Sequence, residues 1–308
     1  MKYYNKISEL VGNTPLIKIQ HHPYAHKVNI FAKLEYFNPG GSIKDRLGQY
    51  LIQDALNEGR IDSNGTIIEP TAGNTGIGLA LAAIGTNIQV ICVVPEKFSQ
   101  EKQLLMRALG AKVLNTPTEL GMKGAIEKAQ QLLKEIPNSC CPQQFYNEAN
   151  PLTYYETLGP EIYHDLDGKI DVFIAGAGSG GTFTGTARYL KEKNPNIKTV
   201  IVEPEGSILN GDSPGPHKTE GIGMEFIPPF MNKEHFDTIY TIYDRDAFQR
   251  VRELAKNEGL LVGSSSGAAF EAALREASGA HEGANIVTVF PDSSERYLSK
   301  NIYEEELN

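Results

Sequence analysis

One rhythm recurs along the chain. A short apolar run rich in β-branched residues gives way to a turn of glycine and small polar residues. A segment with apolar positions at helical spacing then follows. NIFAKLEYF, 29–37, alternates as a strand does and delivers the chain to a proline–glycine turn, after which 42–57 reads as a helix. TIIEP, 66–70, is a β-branched run ending in the loop TAGNTG, with an apolar helix predicted over 76–85. Strands over 88–95 and 111–117 alternate with helices over 99–110 and 121–136. Residues 137–150 are polar and proline-bearing, which suits a crossover between domains. Beyond it come a helix over 151–166, the strand–glycine loop–helix stretch DVFIAGAGSGGTFTG at 171–185, a helix over 183–194 and a strand over 199–206. A glycine- and proline-rich loop runs from 207 to about 232. The pattern then predicts a helix over 245–258, a strand at 260–263, a helix over 266–278 and a strand over 285–292. Strands that alternate with helices in this way predict parallel sheet.

Composition narrows the class without changing this picture. At 308 residues, with 40% hydrophobic and 22% charged residues, the sequence describes a globular chain large enough for two domains. A net charge of −9 disfavours nucleic acid and anionic membrane surfaces as partners. No apolar run approaches the ~20 residues of a membrane span, and the first residues lack an apolar signal core, so a cytoplasmic protein is expected. Cys92, Cys140 and Cys141 form no metal-ligand spacing with the histidines, so no metal is expected. Cys92 reads as a buried strand residue, and the adjacent Cys140 and Cys141 read as free thiols, because a disulfide between neighbours is strained.

Candidate chemistry sits in the glycine-rich turns. In NPGGSIKDR, 38–46, Lys44 follows a tight Pro-Gly-Gly turn and opens a helix that Ser42 can cap. A lysine amine attacks carbonyls only when it is neutral or already condensed, and the positive end of a helix favours both conditions. The same segment is equally compatible with a surface lysine paired with Asp45 or Asp54. GAGSGGT, 176–182, puts small residues at the mouth of a helix, where N–H groups can hold a phosphate. Its spacing matches the dinucleotide pattern, with Glu203 available for a ribose, but Lys44 favours another phosphate-bearing cofactor. Close helix–strand packing is a third reading of those glycines. GSSSGAAFEAAL, 263–274, offers serine caps, or a hydroxyl for a neutral pyridine nitrogen, which favours β-elimination and β-replacement.

The stretches NPGGSIKDR, EPTAGNTG, GAGSGGT, EGIGMEFIP and GSSSGA, in this order and spacing, resemble those of the cysteine synthase and cystathionine β-synthase family of pyridoxal-phosphate enzymes over nearly the whole chain. The resemblance implies a two-domain, tryptophan-synthase-β-like α/β fold (fold type II) with mostly parallel sheets flanked by helices. It places 35–149 in an N-terminal domain carrying the substrate-carboxylate loop. It places 1–34 and 150–308 in a C-terminal domain carrying the phosphate loop, with pyridoxal 5'-phosphate in the cleft between them. By the same resemblance Lys44 is the Schiff-base lysine and proton carrier, and Asn74 bonds the ring hydroxyl. Gly178, Ser179, Gly180, Gly181 and Thr182 cradle the phosphate, and Ser265 faces the pyridine nitrogen. Thr71, Ala72, Asn74, Thr75 and Gln144 match the positions that grip the amino-acid carboxylate. Ala72 departs from the family's usual serine.

PEKFSQEK at 95–102, NPLTYYET at 150–157 and EGIG at 220–223 look more like the cystathionine synthase branch, whose short bacterial forms resemble enzymes using O-acetylserine. The expected reaction is β-replacement on O-acetylserine, or serine, with homocysteine giving cystathionine and sulfide giving cysteine. Lys33, Tyr155 and Glu220 are secondary candidates for meeting the nucleophile, each with an ordinary structural role as the competing reading. The haem-binding and regulatory extensions of the animal enzymes have no room in this sequence, so neither regulation is expected. Family members are typically homodimers, and a homodimer is expected here. A sulfide-only cysteine synthase and a serine or threonine dehydratase are the nearest alternatives. A nicotinamide enzyme, or a nucleotide-binding module built on GAGSGGT, is the distant one.

Overall fold

The structure, a computed structural model, describes residues 3–71 and 73–304. In chain order its elements are β1 (Leu16–Ile19), β2 (Asn29–Leu34), α1 (Lys44–Asn57), β3 (Thr66–Pro70), α2 (Asn74–Ala83), β4 (Gln89–Pro95), α3 (Gln100–Ala108), β5 (Lys112–Thr116), α4 (Gly121–Glu135) and β6 (Ser139–Cys140). There follow α5 (Ala149–Glu156), α6 (Leu158–Asp165), β7 (Val172–Gly176), α7 (Gly181–Lys193), β8 (Lys198–Pro204), β9 (Thr238–Ile242), α8 (Asp244–Glu258), α9 (Ser264–Gly279) and β10 (Asn285–Phe290).

The chain divides into two compact units, one made of the segment ending at Val11 with Asn38–Asn150, the other of Gly12–Phe37 with the segment from Pro151 on. The expected grouping assigned all of 1–34 to the second unit; here the residues up to Val11 group with the first.

The first unit holds a four-stranded sheet in the order β5-β4-β3-β6, parallel throughout. Its central strands are apolar runs buried on both faces, as helix-covered parallel strands must be. Ile68, Ile91 and Val93 pack against Ala125, Ala129 and Leu132 of α4. Helices α1 and α2 approach to backbone contact. A Cβ on Gly48 would lie 2.2 Å from Gly78 O, and one on Gly78 would lie 2.2 Å from Lys44 O. This contact fixes the start of α1 against α2.

The second unit holds a six-stranded sheet, β1-β2-β10-β7-β8-β9, parallel except for β1 against β2. Ile30, Ile174, Val200, Ile286 and Phe270 lie in its core.

Three expectations fail for local reasons. The helix over 151–166 is two helices broken at Thr157, because Pro160 has no N–H for the carbonyl of Glu156. The strand at 260–263 reduces to one bridge, Val262 to Ser293, since those residues only join α8 to α9. Conversely, β9 lies where no element was predicted. It is an edge strand whose residues are mostly half-buried.

Candidate active site

In the first unit, Gly41 N–H donates to Asn38 O at 2.7 Å, and the Asp45 carboxylate accepts the Gly40 N–H at 2.5 Å. The turn before α1 is thereby folded back on the helix start. Gly41 adopts φ +78°, a left-handed conformation that glycine takes without steric cost. Ser42 does not cap as expected. The N-cap is Ile43, and Ser42 Oγ accepts the Lys44 N–H at 3.3 Å. Lys44 is the first residue of α1. Burial lowers its ammonium from 10.5 to about 8, with the charge of Glu69 opposing the shift. Lys44 is half-buried, and an amine lowered in this way carries more of the neutral, nucleophilic form than an exposed lysine does.

Glu69 lies on β3, fully buried, with its carboxyl pushed up to about 7 by burial. The Cys141 thiol donates to its Oε2 at 3.5 Å, and the Gln143 and Gln144 N–H groups and the charge of Lys44 favour its ionised form. The loop after β3 is tied down by Thr71, whose N–H donates to Val93 O and whose Oγ1 accepts the Gly73 N–H, both at 3.1 Å. Asn74 and Thr75 open α2, and Thr75 Oγ1 donates to Gln144 Oε1 at 2.9 Å. Gln144 is held from behind by Asn150 Nδ2, which donates to its carbonyl at 2.7 Å. The structure thus brings Thr71, Asn74, Thr75 and Gln144 around one loop. Ala72 lies outside the described residues.

In the second unit, β7 feeds the glycine loop, and α7 begins at Gly181 with Gly180 as N-cap at φ +81°. Gly180 contributes no side-chain cap, and the small residues of this first turn lie at the positive end of the helix, where an anion is favoured. The backbone is packed so closely that a Cβ on Gly178 would stand 2.3 Å from Gly221 O. Ser265 lies in the first turn of α9, buried, and the adjacent Ser264 Oγ accepts the Glu220 N–H at 3.0 Å. The EGIG stretch therefore runs between the glycine loop and the start of α9.

Unit by unit, the residues present fit pyridoxal phosphate: a desolvated amine in the first, and in the second a glycine-rich helix start and a buried neutral hydroxyl. They do not fit a dinucleotide. The Glu203 carboxylate accepts the Leu209 and Asn210 N–H groups at 2.9 Å each and the Thr241 hydroxyl at 3.3 Å, so it anchors the following loop.

The secondary candidates separate. Lys33 Nζ is buried on Thr14 O at 2.7 Å, Asp165 at 2.8 Å and Glu161 at 3.2 Å, a structural tie. Tyr155 donates to Glu192 at 2.6 Å beneath the Arg188 guanidinium. Glu220 faces Lys300 at 4.0 Å. Sequence reasoning gave no role to Glu69, although it stands inside the quoted EPTAGNTG motif. Its charge, ending an apolar strand run, was the available signal. All three cysteines are free, and burial raises each thiol. Among the described residues no His/Cys/Asp/Glu group could hold a metal, and no helix is long and apolar enough to cross a membrane.

A half-buried lysine with a lowered ammonium opening one helix, and a glycine-rich loop opening another, are what a pyridoxal-phosphate enzyme of fold type II requires. Residues 7–292 match the family described as pyridoxal-phosphate dependent enzyme, and the chain belongs to it. A Bacillus subtilis (strain 168) protein named O-acetylserine dependent cystathionine beta-synthase is 63% identical over 298 residues, covering 97% of each chain. A Helicobacter pylori protein named cysteine synthase is 58% identical over 299 residues, covering 96% of this chain and 98% of that protein. The crystal structure of an O-acetylserine dependent cystathionine beta-synthase from Helicobacter pylori matches with TM-score 0.94 at 56% identity, covering 99% of this chain and 100% of that one.

Proposed function

We propose that this enzyme carries out β-replacement on O-acetyl-L-serine, converting it with L-homocysteine to L-cystathionine and acetate. The observation that carries the reading is Lys44, a half-buried amine lowered to about 8 at the head of α1, in a chain so similar to O-acetylserine-dependent cystathionine synthases. With sulfide as the acceptor the same chemistry gives cysteine, and similarity to proteins named cysteine synthase supports this second reaction.

Lys44 and Asn74, with Gly178, Ser179, Gly180, Gly181, Thr182 and Ser265, would hold pyridoxal phosphate, which when bound supplies an electron sink for the α-carbon of an amino acid. Thr71, Asn74, Thr75 and Gln144 bind the substrate carboxylate and orient the Cα–H bond. The Lys44 amine takes the α-proton as acetate leaves Cβ. It returns a proton to Cα after the thiolate has bonded to Cβ. The lowered value of Lys44 suits it to both transfers near neutral pH. The enzyme acts as a homodimer in the cytoplasm, in keeping with its kinship.

Mass-spectrometric product analysis tests the reading. Purified holoenzyme receives O-acetylserine or serine, each with homocysteine or sulfide. Cystathionine from O-acetylserine and homocysteine is the expected product. Cysteine alone would restrict the enzyme to sulfide, and pyruvate without a thioether would overturn the proposal.

A further inference from the structure

Glu69 is a buried carboxylate that the chemistry above does not use. It stands on β3 opposite Cys92 of β4, on the sheet face turned away from α4. Ile68 and Ile91 pack against α4, whereas a Cβ on Gly76 of α2 would stand 2.9 Å from Cys92 Sγ. Strand β6 pairs with β3 only as far as Cys140 against Ile67, and the chain beyond passes through Pro142, which has no N–H to give. There a side chain takes over from the ladder. The Glu69 carboxylate, 2% exposed, accepts the Cys141 thiol at 3.5 Å and the N–H groups of Gln143 and Gln144. Gln143 adopts φ +57°, a left-handed conformation that a residue other than glycine keeps only when its surroundings hold it. Its carbonyl in turn accepts the Tyr146 and Asn147 N–H groups at 2.9 and 3.0 Å.

This folded backbone carries the Gln144 side chain. Glu69 holds the Gln144 N–H, Asn150 Nδ2 holds its carbonyl at 2.7 Å, and Thr75 Oγ1 holds its Oε1 at 2.9 Å, all within the first unit. Together these bonds orient the Gln144 amide N–H₂, which the proposed mechanism aims at the substrate. Glu69 serves here only as an acceptor. Ionised, both its oxygens accept, and charge-assisted bonds of this kind are roughly twice as strong as neutral ones. Protonated, one oxygen becomes a donor facing other donors, and a bond is lost.

We propose that Glu69 is a positioning residue whose carboxylate folds the 141–144 segment so that the Gln144 amide meets the substrate's α-carboxylate. The inference rests on the proposed reading of this chain as an amino-acid β-replacing enzyme. It makes affinity for the amino acid depend on pH. Lys44 of α1, Cys92 of β4, and Cys140 and Cys141 at the end of β6 are the titratable groups that interact with Glu69. Burial pushes all three thiols up, so they stay neutral near neutral pH, and the Lys44 ammonium favours the ionised Glu69. The Glu69 carboxyl, raised to about 7 by burial, is ionised above that value and holds the segment; as pH falls through about 7 it protonates and the hold weakens.

The test uses holoenzyme with homocysteine saturating. Glu69→Gln keeps the side chain's shape and turns one acceptor into a donor, so KM for O-acetylserine should rise about tenfold while kcat hardly moves. Gln144→Met removes the amide itself, and adding Glu69→Gln to it should raise KM no further. In wild type KM should rise as pH falls through about 7, and that rise should be absent in Glu69→Gln. Cofactor content and circular dichroism establish that each variant is intact. A full further rise in the Gln144→Met background, or a loss confined to kcat, assigns Glu69 to the stability of the sheet and overturns the inference. A wild-type KM that stays flat through this pH range also overturns it, and that measurement needs no variant to fold. Wild type that turns over O-acetylserine with neither homocysteine nor sulfide overturns instead the reading on which the inference stands.

Discussion

Thr75 Oγ1 donates to Gln144 Oε1 at 2.9 Å, joining the first turn of α2 to the segment after β6 across 69 positions of sequence. Both side chains are buried, so the bond sets which way the Gln144 amide N–H₂ points. Thr75→Val removes the donor and leaves a buried acceptor unmatched, a loss of about 1 kcal/mol, or roughly fivefold in affinity. The KM for O-acetylserine should rise by about that factor while the visible cofactor band stays in place. Steady-state kinetics with the acceptor saturating checks it.

The Glu69–Lys44 pair predicts an unusual pH dependence for the cofactor-free protein. Burial raises Glu69 from 4.5 to about 7, so the folded state binds more protons between those values. Its stabilising contribution is full below about 4.5 and is lost as pH rises through about 7. Burial lowers Lys44 from 10.5 to about 8, and its contribution is full above 10.5 and lost as pH falls through about 8. The two together predict a stability minimum between about 7 and about 8. Denaturation midpoints across this range should show it, and Glu69→Gln should flatten the acid-side arm.

Gly178→Ala places a methyl 2.3 Å from Gly221 O, where the neighbour is backbone and cannot turn away. The expected strain is about 1–3 kcal/mol, and affinity for pyridoxal phosphate should fall about tenfold. Cofactor retained after dialysis measures it.

Lys33 was a candidate for meeting the nucleophile; its ties to Thr14, Asp165 and Glu161 make it a structural cation. Lys33→Met should cost about 2–3 kcal/mol of stability, allowing for the partial exposure of the two carboxylates. The preference between homocysteine and sulfide should not change. Denaturant unfolding and a competition assay check both halves.

The strands and helices were legible because β-branched runs such as QVICVVP and KTVIVEP carry their burial in composition, and the glycine loops mark where strand becomes helix. The ordered motifs revealed the family. Sequence reading failed where tertiary contacts decide the outcome. Pro160 splits one amphipathic stretch into α5 and α6, and β9 is a short edge strand after an irregular loop. Glu69 and Lys102 look like ordinary surface charges in sequence. Only the fold buries them, one under the Gln143–Gln144 backbone and the other against Gly73.

The most direct test of the account is borohydride reduction of the holoenzyme followed by peptide mass spectrometry. Reduction fixes the cofactor to whichever amine holds it. The account predicts the added mass on the peptide carrying Lys44, and no visible band or turnover in Lys44→Ala. Attachment to another lysine, or turnover that survives in Lys44→Ala, would contradict it.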